Sequence, residues 1–292
     1  MKNIVIMPNA YKDPGYKITH RVVCYLQEQG ACIYLSESLR GDVSVPGIHY
    51  YKEELPKDAE MILVIGGDGS VLDAAVYAID ADLPLIGLNL GRLGYLAELS
   101  REEIPELSRL IRNDFEIRER ITFTVTLVRN GEETKLSRRA VNDVVISQGD
   151  GEGLSEILLD DGVGDHFSYL ADGIIVATPL GSTAYSLSAG GPVVDASLDS
   201  FCVTPICAHS FFSRSILFST DYTITLKNGS KREGTMRICV DGGESYTLMP
   251  GEVARICRSG KKLRMITFKK QSVLGVLGRK MQLLNPQHER KE

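Results

Sequence analysis

The segment from Met61 to Val76 most constrains what this chain can fold into. Five apolar residues are followed by Gly66-Gly67-Asp68-Gly69-Ser70, and then by apolar residues at helical spacing. This order predicts a buried strand, a tight turn and a helix. Because glycine has no Cβ and accepts positive φ, such a turn can bring its N–H groups against phosphates at the start of the helix.

Asp68 is the only charged residue of this turn. A carboxylate there would repel a phosphate unless it binds a metal or takes up a proton, so its presence indicates a chemical role. The alternative is a plain strand-to-helix turn in which Asp68 or Ser70 caps the helix. The turn alone does not decide between these two interpretations.

The overall composition predicts an ordinary globular protein with room for two domains, since the chain has 292 residues of which 43% are hydrophobic and 24% charged. A net charge of -5 gives no sign of a nucleic-acid partner. No stretch approaches a membrane span, and the apolar N-terminal run is too short for a signal peptide. The six cysteines contain no C-x-x-C pair, so we expect reduced core residues in a cytoplasmic protein.

Strand-like and helix-like segments alternate over the first third of the chain, which predicts an α/β domain with a parallel, Rossmann-like sheet at residues 1–110. A second glycine-punctuated turn, at 91–95, follows the strand predicted at 84–89. We expect the two glycine turns side by side at the carboxyl edge of the sheet, where α/β proteins bind ligands. A charged helix is predicted at about 100–113.

Short alternating segments dominate the following region and predict an all-β domain, a β-sandwich, at residues 111–268. Asn130-Gly131 is typical of a tight hairpin turn. The last strand of this domain is predicted at Arg264 to Phe268. The remaining tail, 269–292, carries several apolar residues, which favours a packed segment.

Two segments of the β-rich half contain candidate binding residues. The stretch 171–192 has the pattern of a strand, a glycine turn and a short helix capped by Ser182 or Thr183, and it could bind a nucleotide or be purely structural. The adjacent Asn142 and Asp143 could hydrogen-bond ribose hydroxyls or an adenine edge, or could be solvated turn residues.

Together these segments resemble the ATP-NAD kinases, the family that phosphorylates the 2′-hydroxyl of NAD to make NADP. The resemblance is carried, in the family's order and over nearly the whole chain, by the segments 66–70, 87–96, 142–143, 178–186 and 205–210. It implies an N-terminal α/β domain, a C-terminal β-sandwich whose tail returns to the first domain, and a homodimer or homotetramer.

The resemblance also implies roles for individual residues. Asp68 resembles the proton acceptor of the reaction. The implied NAD-binding residues are Asp68, Gly69, Asn142, Asp143, Asp172, Thr183, Ala184, Tyr185, Ser186, Leu187 and Ser188. For the phosphoryl donor, ATP or polyphosphate, we expect a phosphate-binding loop formed by Gly66, Gly67, Gly69 and Ser70, with Mg²⁺ or another divalent cation bridging the phosphates.

Two positions depart from the family pattern. Leu170 stands where a basic or amide residue is frequent, and Asp241-Gly242-Gly243 replaces a common Asp-Gly-Gln. These departures favour one alternative, a catalytically silent sensor of NAD or NADP, whereas the retained Asp68 argues against it. A second alternative is a lipid or sugar kinase, since such kinases share the Gly-Gly-Asp-Gly turn, but the sequence has no obvious membrane-binding face.

Overall fold

The computed structural model describes residues 1–91, 94, 96–149, 155–164, 166–209, 213–230, 234–269, 275 and 278. The chain divides into two compact units. One comprises Met1–Glu119 together with Leu263–Glu292, and the other comprises Arg120–Lys262. Of the tail predicted at 269–292, only Lys269, Gly275 and Gly278 belong to the described residues, so its packing stays a prediction.

The first unit is built on one sheet, which has eight strands in the described part of the chain. With strands numbered along the whole chain, they are β1 (Asn3–Pro8), β2 (Cys32–Ser36), β3 (Ile48–Tyr51), β4 (Met61–Gly66), β5 (Leu85–Asn89), β6 (Leu99–Ser100), β7 (Glu116–Arg120) and β20 (Leu263–Thr267). Their order is β3-β2-β1-β4-β5-β20-β7, with β6 paired to β5. The pairs formed by β1 to β6 and by β20 with β5 are parallel, as the alternating pattern predicted.

Helices α1 (Lys17–Glu28), α2 (Asp68–Ala81) and α3 (Ser108–Ile111) belong to the same unit. The carboxylate of Asp13 fixes the start of α1 because it accepts the N–H groups of Ile18 and Thr19 at 3.0 and 2.8 Å. All six residues of β4 are buried, as are the five of β5. These apolar strands therefore form a rigid base from which the following turns project.

The order of the strands places a switch point next to β4. From β1 the sheet grows through β2 to β3, and the chain then returns to the opposite side of β1 to form β4. The carboxyl ends of β1, β4 and β5 consequently lie together, and they continue into residues 9–12, 66–70 and 89–91. Ligands of open α/β sheets bind at such switch points. The glycine turn predicted at 66–70 lies at this edge, and so does the loop after β1. Of the second predicted turn, at 91–95, only Gly91 and Gly94 belong to the described residues.

The second unit contains two antiparallel sheets, each with six strands among the described residues. The first has the order β15-β14-β13-β10-β17-β18, with β10 (Asp143–Gln148), β13 (Gly173–Ala177), β14 (Ser200–Ile206), β15 (Ile216–Ser219), β17 (Met236–Val240) and β18 (Ser245–Leu248). The second has the order β12-β11-β16-β19-β8-β9, with β8 (Phe123–Arg129), β9 (Glu132–Lys135), β11 (Ser155–Asp160), β12 (His166–Ala171), β16 (Ile224–Asn228) and β19 (Val253–Arg258).

Side chains from both sheets share one core, so this unit is the predicted sandwich. Phe123 on β8 and Phe201 on β14 illustrate the contact, with ring centroids 4.3 Å apart. The predicted hairpin turn joins β8 to β9, and both Asn130 and Gly131 have the positive φ that the turn requires. A short helix, α4 (Tyr185–Ser188), follows β13.

Three predictions are corrected by the structure. The strand predicted at Arg264 to Phe268 is present as β20, but its assignment to the sandwich is wrong, because it pairs with β5 in the sheet of the first unit. The helix predicted at about 100–113 is a 3-10 helix over Arg101–Leu107 followed by the short α3, since Pro105 inside it lacks an N–H for helical bonding. The cysteines are free, as expected, but Cys24 and Cys207 are exposed rather than part of a core.

Strands β9, β12 and β18 were not predicted, and each carries mainly exposed residues. They form the edges of the two sheets of the sandwich, where one partner strand and few core contacts suffice. Of the helices in the described part of the chain, none has the length and hydrophobicity of a membrane span.

Candidate active site

Hydrogen bonds between polar side chains hold the turn after β4 against the loop after β1. Asn9, which follows β1, donates from Nδ2 to the Ser70 hydroxyl at 2.8 Å. The same hydroxyl lies against Gly66, where an added Cβ would be only 2.4 Å from Ser70 Oγ. Ser70, predicted in the phosphate-binding loop, therefore directs its hydroxyl towards the base of the turn. Gly66 has to be glycine because this hydroxyl occupies the space of a side chain.

Asp68 is the first residue of α2, and its carboxylate has a defined position. Its Oδ1 accepts the backbone N–H of Leu96 at 3.1 Å. Gly94 lies directly beside the carboxylate, since an added Cβ would be 2.0 Å from the same oxygen. Leu96 thus supplies a hydrogen bond, and Gly94 the space, that the Asp68 carboxylate needs.

Gly69 is exposed, and an added Cβ would meet no atom within 4 Å. The fold itself therefore does not require a glycine there. Because the first N–H groups of an α-helix have no partner within the helix, the residues at 68–70 present donors at this open position. The arrangement suits an anionic ligand at the start of α2.

Lys12 adds a positive charge to this edge of the sheet. Its backbone N–H donates to Asn9 Oδ1 at 3.0 Å, which fixes the loop after β1. Its ammonium lies against Gly67, where an added Cβ would be 2.2 Å from Nζ, and it also lies beside Gly91. Within the described part of the chain the ammonium takes part in no ion pair. Lys12 was not predicted as a functional residue.

In the second unit, Asn142 and Asp143 lie at the start of β10 beside the turn after β17. The carboxylate of Asp241 accepts the N–H groups of Asn142 and Asp143 at 2.7 and 3.0 Å. Only 6% of Asp143 is exposed, so it is not a solvated turn residue. Burial, and next the Asp241 carboxylate, raise the pKa of Asp143 to about 7.

The segment after β13 contacts the same stretch of backbone, at Val141 and Asn142. Thr178 donates its N–H to the carbonyl of Asn142 at 2.8 Å and its hydroxyl to the carbonyl of Val141 at 2.6 Å. Gly181 packs so closely that an added Cβ would be 2.0 Å from the Asn142 carbonyl oxygen. The structure therefore brings together Asn142 and the beginning of the segment 178–186.

The predicted contacts at 183–188 differ in their accessibility. Tyr185, Leu187 and Ser188 are exposed, whereas Thr183 and Ala184 are half-buried. Ser186 is fully buried, and its hydroxyl is paired with that of Thr204 at 3.0 Å.

The predicted cap of this helix is wrong. Ser182 and Thr183 instead donate their hydroxyls to the carbonyls of Pro179 and Leu180, at 2.7 and 3.3 Å. The residue that precedes α4 is Ala184, which has no side-chain cap.

Asp172 lies apart from the other predicted residues of this unit. It precedes β13, whereas Thr178 follows it, and Asp143 pairs with Ala177 at the far end of the strand. Five residues of extended chain separate the two ends by about 17 Å. Asp172 is exposed.

Comparison with known families supports this picture across both units. The model of the ATP-NAD kinase N-terminal domain matches residues 4–115, and that of the ATP-NAD kinase C-terminal domain matches residues 141–268. The chain belongs to the ATP-NAD kinase family.

Curated relatives in this family match over almost their whole length. The NAD kinase of Agathobacter rectalis is 36% identical over 289 residues, which are 96% of this chain and 99% of the relative. That of Natranaerobius thermophilus is 33% identical over 285 residues, 96% of this chain and 98% of the relative.

Solved structures of the family share the fold. Yeast NADH kinase complexed with NADH superimposes with a TM-score of 0.83 at 19% identity, over 100% of this chain and 90% of that one. An NAD kinase from Archaeoglobus fulgidus in complex with ATP gives 0.69 at 22% identity, over 96% of this chain and 99% of that one.

The two departures from the ATP-NAD kinase pattern have defined surroundings. Leu170 is 45% exposed on β12. At Gly243 the guanidinium of Arg138 takes up the neighbouring space, since an added Cβ would lie 3.1 Å from Arg138 Nη1. A glutamine at position 243 would have to share this space with Arg138.

Asn9 and Lys12 have a place in the candidate site but were not named in the sequence analysis. Both follow β1, and the rule that parallel strands end at a common edge would have indicated them. Thr178 was named only as part of the segment 178–186, without a role, although a threonine hydroxyl can bond neighbouring backbone groups.

Proposed function

We propose that this chain transfers a phosphoryl group from ATP or polyphosphate to the 2′-hydroxyl of the adenosine ribose of NAD, which gives NADP. The observation that carries the proposal is the oriented carboxylate of Asp68 at the open switch point of the first unit, in a chain of the ATP-NAD kinase family. The relatives named NAD kinase support the same acceptor.

The phosphoryl donor binds at the start of α2, beside a positive charge. The backbone N–H groups at 67–70 and the ammonium of Lys12 bind its phosphates, and the open space at Gly69 admits them. Since the transition state of phosphoryl transfer spreads negative charge over the transferred oxygens, fixed donors and a nearby cation lower its energy. The complex of the Archaeoglobus fulgidus relative with ATP supports ATP as one donor.

Asp68 accepts the proton of the 2′-hydroxyl as its oxygen attacks the terminal phosphorus of the donor. The new O–P bond forms while the bond from this phosphorus to the leaving phosphate oxygen breaks, and the shortened donor departs with that electron pair. The hydrogen bond from the Leu96 N–H keeps one carboxylate oxygen occupied, which orients the group for the transfer. A positioned base contributes a factor of roughly 10² to 10⁴.

NAD is bound by Asp68, Gly69, Asn142, Asp143, Asp172 and the residues 183–188. The amide of Asn142 and the exposed ring of Tyr185 suit a ribose hydroxyl and a base, respectively. A neutral Asp143 donates a hydrogen bond, because its raised pKa favours the protonated form.

Mg²⁺ or another divalent cation accompanies the donor. No three His, Cys, Asp or Glu side chains converge into a metal-binding group among the described residues. In the proposal the phosphates of the donor hold this cation, because phosphate oxygens are ligands that Mg²⁺ prefers. When bound, the cation neutralises charge on the phosphate oxygens.

The proposed enzyme is a homodimer or homotetramer, and its proposed location is the cytoplasm. Six free cysteines suit a reducing compartment. Light scattering coupled to size-exclusion chromatography measures the number of subunits.

The deciding experiment follows NADP formation by the purified chain with NAD, Mg²⁺ and either ATP or polyphosphate, beside the variant Asp68→Asn. We expect product with the wild type and a loss of roughly 10² to 10⁴ in kcat for the variant, with an unchanged melting temperature. Near wild-type turnover by Asp68→Asn would refute the role of Asp68.

The same experiment separates the alternatives. If NAD raises the melting temperature of the wild type but no NADP forms, the chain is a catalytically silent sensor. Leu170 and Gly243 favour that alternative. A wild type that neither binds NAD nor makes NADP points to a different acceptor, such as a lipid or a sugar.

A further inference from the structure

Asp241 binds three consecutive backbone N–H groups through one carboxylate. Oδ2 accepts the N–H of Val141 at 2.8 Å, and Oδ1 accepts those of Asn142 and Asp143 at 2.7 and 3.0 Å. In return, the N–H of Asp241 donates to the Asp143 carbonyl at 3.0 Å. Hydrogen bonds to a charged acceptor are stronger than those between neutral groups, so this stretch of backbone is firmly held.

The opposite side of the same backbone is held as well. Thr178 bonds the carbonyls of Val141 and Asn142, and Gly181 packs against the second of them. The peptide groups on either side of Asn142 are therefore fixed through both their N–H and their C=O. As a result, the backbone of Asn142 is fixed and only its side chain can rotate. Asp241 and Thr178 together set the direction of its Cα–Cβ bond.

The conformation and the surroundings of Asp241 lower the stability of the folded state. Asp241 adopts a left-handed conformation with φ 50°, which is uncommon for residues other than glycine. Its carboxylate also lies near the buried carboxyl group of Asp143 and disfavours the ionised form of that group. An asparagine would tolerate the same conformation without a buried carboxylate. The unfavourable conformation lies next to Asn142 and Asp143, which the proposed function assigns to NAD, and such conformations cluster at functional sites.

We propose that Asp241 is a positioning residue, which holds the backbone at 141–143 so that Asn142 and Asp143 meet the ribose of NAD in the correct orientation. The inference rests on the proposed function, since it concerns how this chain binds its acceptor. Asp241 itself acts through the other two residues. A purely structural role, as a link between β10 and the turn after β17, is the alternative.

The test compares Asp241→Asn with wild type in the full-length enzyme. Asparagine keeps one acceptor oxygen, but its NH₂ group faces the N–H of Val141, so the backbone at 141–143 is released on one side. We expect KM for NAD to rise roughly tenfold, with KM for ATP unchanged.

A matched control separates positioning from loss of stability. Asn228 is fully buried and donates to the carbonyls of Gly234 and Leu248, at 2.9 and 3.0 Å, in the same unit. Asn228→Ala is expected to lower the melting temperature without a change in either KM. If Asp241→Asn loses stability while KM for NAD stays at the wild-type value, or if both KM values rise together, the proposal is wrong.

A second variant covers the case in which Asp241→Asn does not fold. Thr178→Val keeps the shape and the N–H of the residue but removes the hydroxyl bond to the Val141 carbonyl, and with it the acceptor of the Gly181 N–H. It therefore releases the same backbone from the side of Thr178. It should also raise KM for NAD alone, and an unchanged KM would count against positioning. If the wild type makes no NADP, the proposed function fails, and NAD affinity measured by calorimetry then tests the role of Asp241 by itself.

Discussion

Gly94 and Asp68 lie so close together that a methyl group on Gly94 would sit 2.0 Å from Asp68 Oδ1. We therefore expect Gly94→Ala to displace the carboxylate and to lower kcat at least about tenfold, because small misplacements of a reacting group are costly. The affinity for ATP should change little. Steady-state kinetics check this, and Gly41→Ala, at a glycine with open space around it, is the control. Wild-type kcat in Gly94→Ala would show that the carboxylate needs no such space.

A methyl group added at Gly69, unlike one added at Gly94, would meet no atom of the protein, because the space around Gly69 is open. Alanine is favoured over glycine inside a helix by about 1 kcal/mol, so Gly69→Ala should raise the free energy of unfolding slightly. The added methyl group points into the position proposed for the ligands, and kcat/KM should fall. Urea unfolding and kinetics on the same sample measure the two effects. A more stable enzyme with full activity would exclude a ligand at Gly69.

Lys12 is expected to act on the donor alone. Lys12→Met keeps the length of the side chain but removes its charge, so KM for ATP should rise roughly tenfold while KM for NAD stays constant. Lys17→Met, at an exposed lysine that begins α1 in the same unit, is the matched control and should leave both constants unchanged. A similar rise in both variants would indicate a general effect of net charge.

Stability should depend on pH through Asp143. Its pKa is about 7 in the folded chain, against about 3.9 for an unperturbed aspartate, so the folded state binds more protons between these values. The free energy of unfolding should accordingly fall as the pH rises from about 4 to about 7, and then level off.

Asp143→Asn removes this titration and should flatten the profile, as measured by urea unfolding at several pH values. Asp241, whose pKa burial also raises, contributes in the same direction in both proteins. Parallel profiles for wild type and Asp143→Asn would contradict the raised pKa of Asp143.

Much of the fold could be predicted because its signals are local. The apolar run at 61–65 and the glycines after it define β4, the turn and α2 without any knowledge of distant residues. The same holds for the hairpin at Asn130-Gly131. By contrast, β20 has a strand pattern that suits either unit, and only its pairing with β5 decides where it belongs. No local pattern contains that information.

In the candidate site, too, residues within local motifs could be predicted, whereas long-range contacts could not. Asp68, Asn142 and Asp143 stand in recognisable motifs, so they could be predicted. Lys12 reaches the turn at Gly67 across 55 positions of sequence, and Asp241 bonds Asn142 across 99. Such contacts exist only after the strands have paired.

The return of β20 to the first sheet also affects the order in which the chain can fold during synthesis. The second unit is continuous, so all of it has been made once residue 262 has left the ribosome. The first unit begins earlier but lacks β20, the strand between β5 and β7, until residue 267 has emerged. The sheet of the first unit therefore cannot be completed until the whole of the second unit has been synthesised, although the first unit contains the N-terminus.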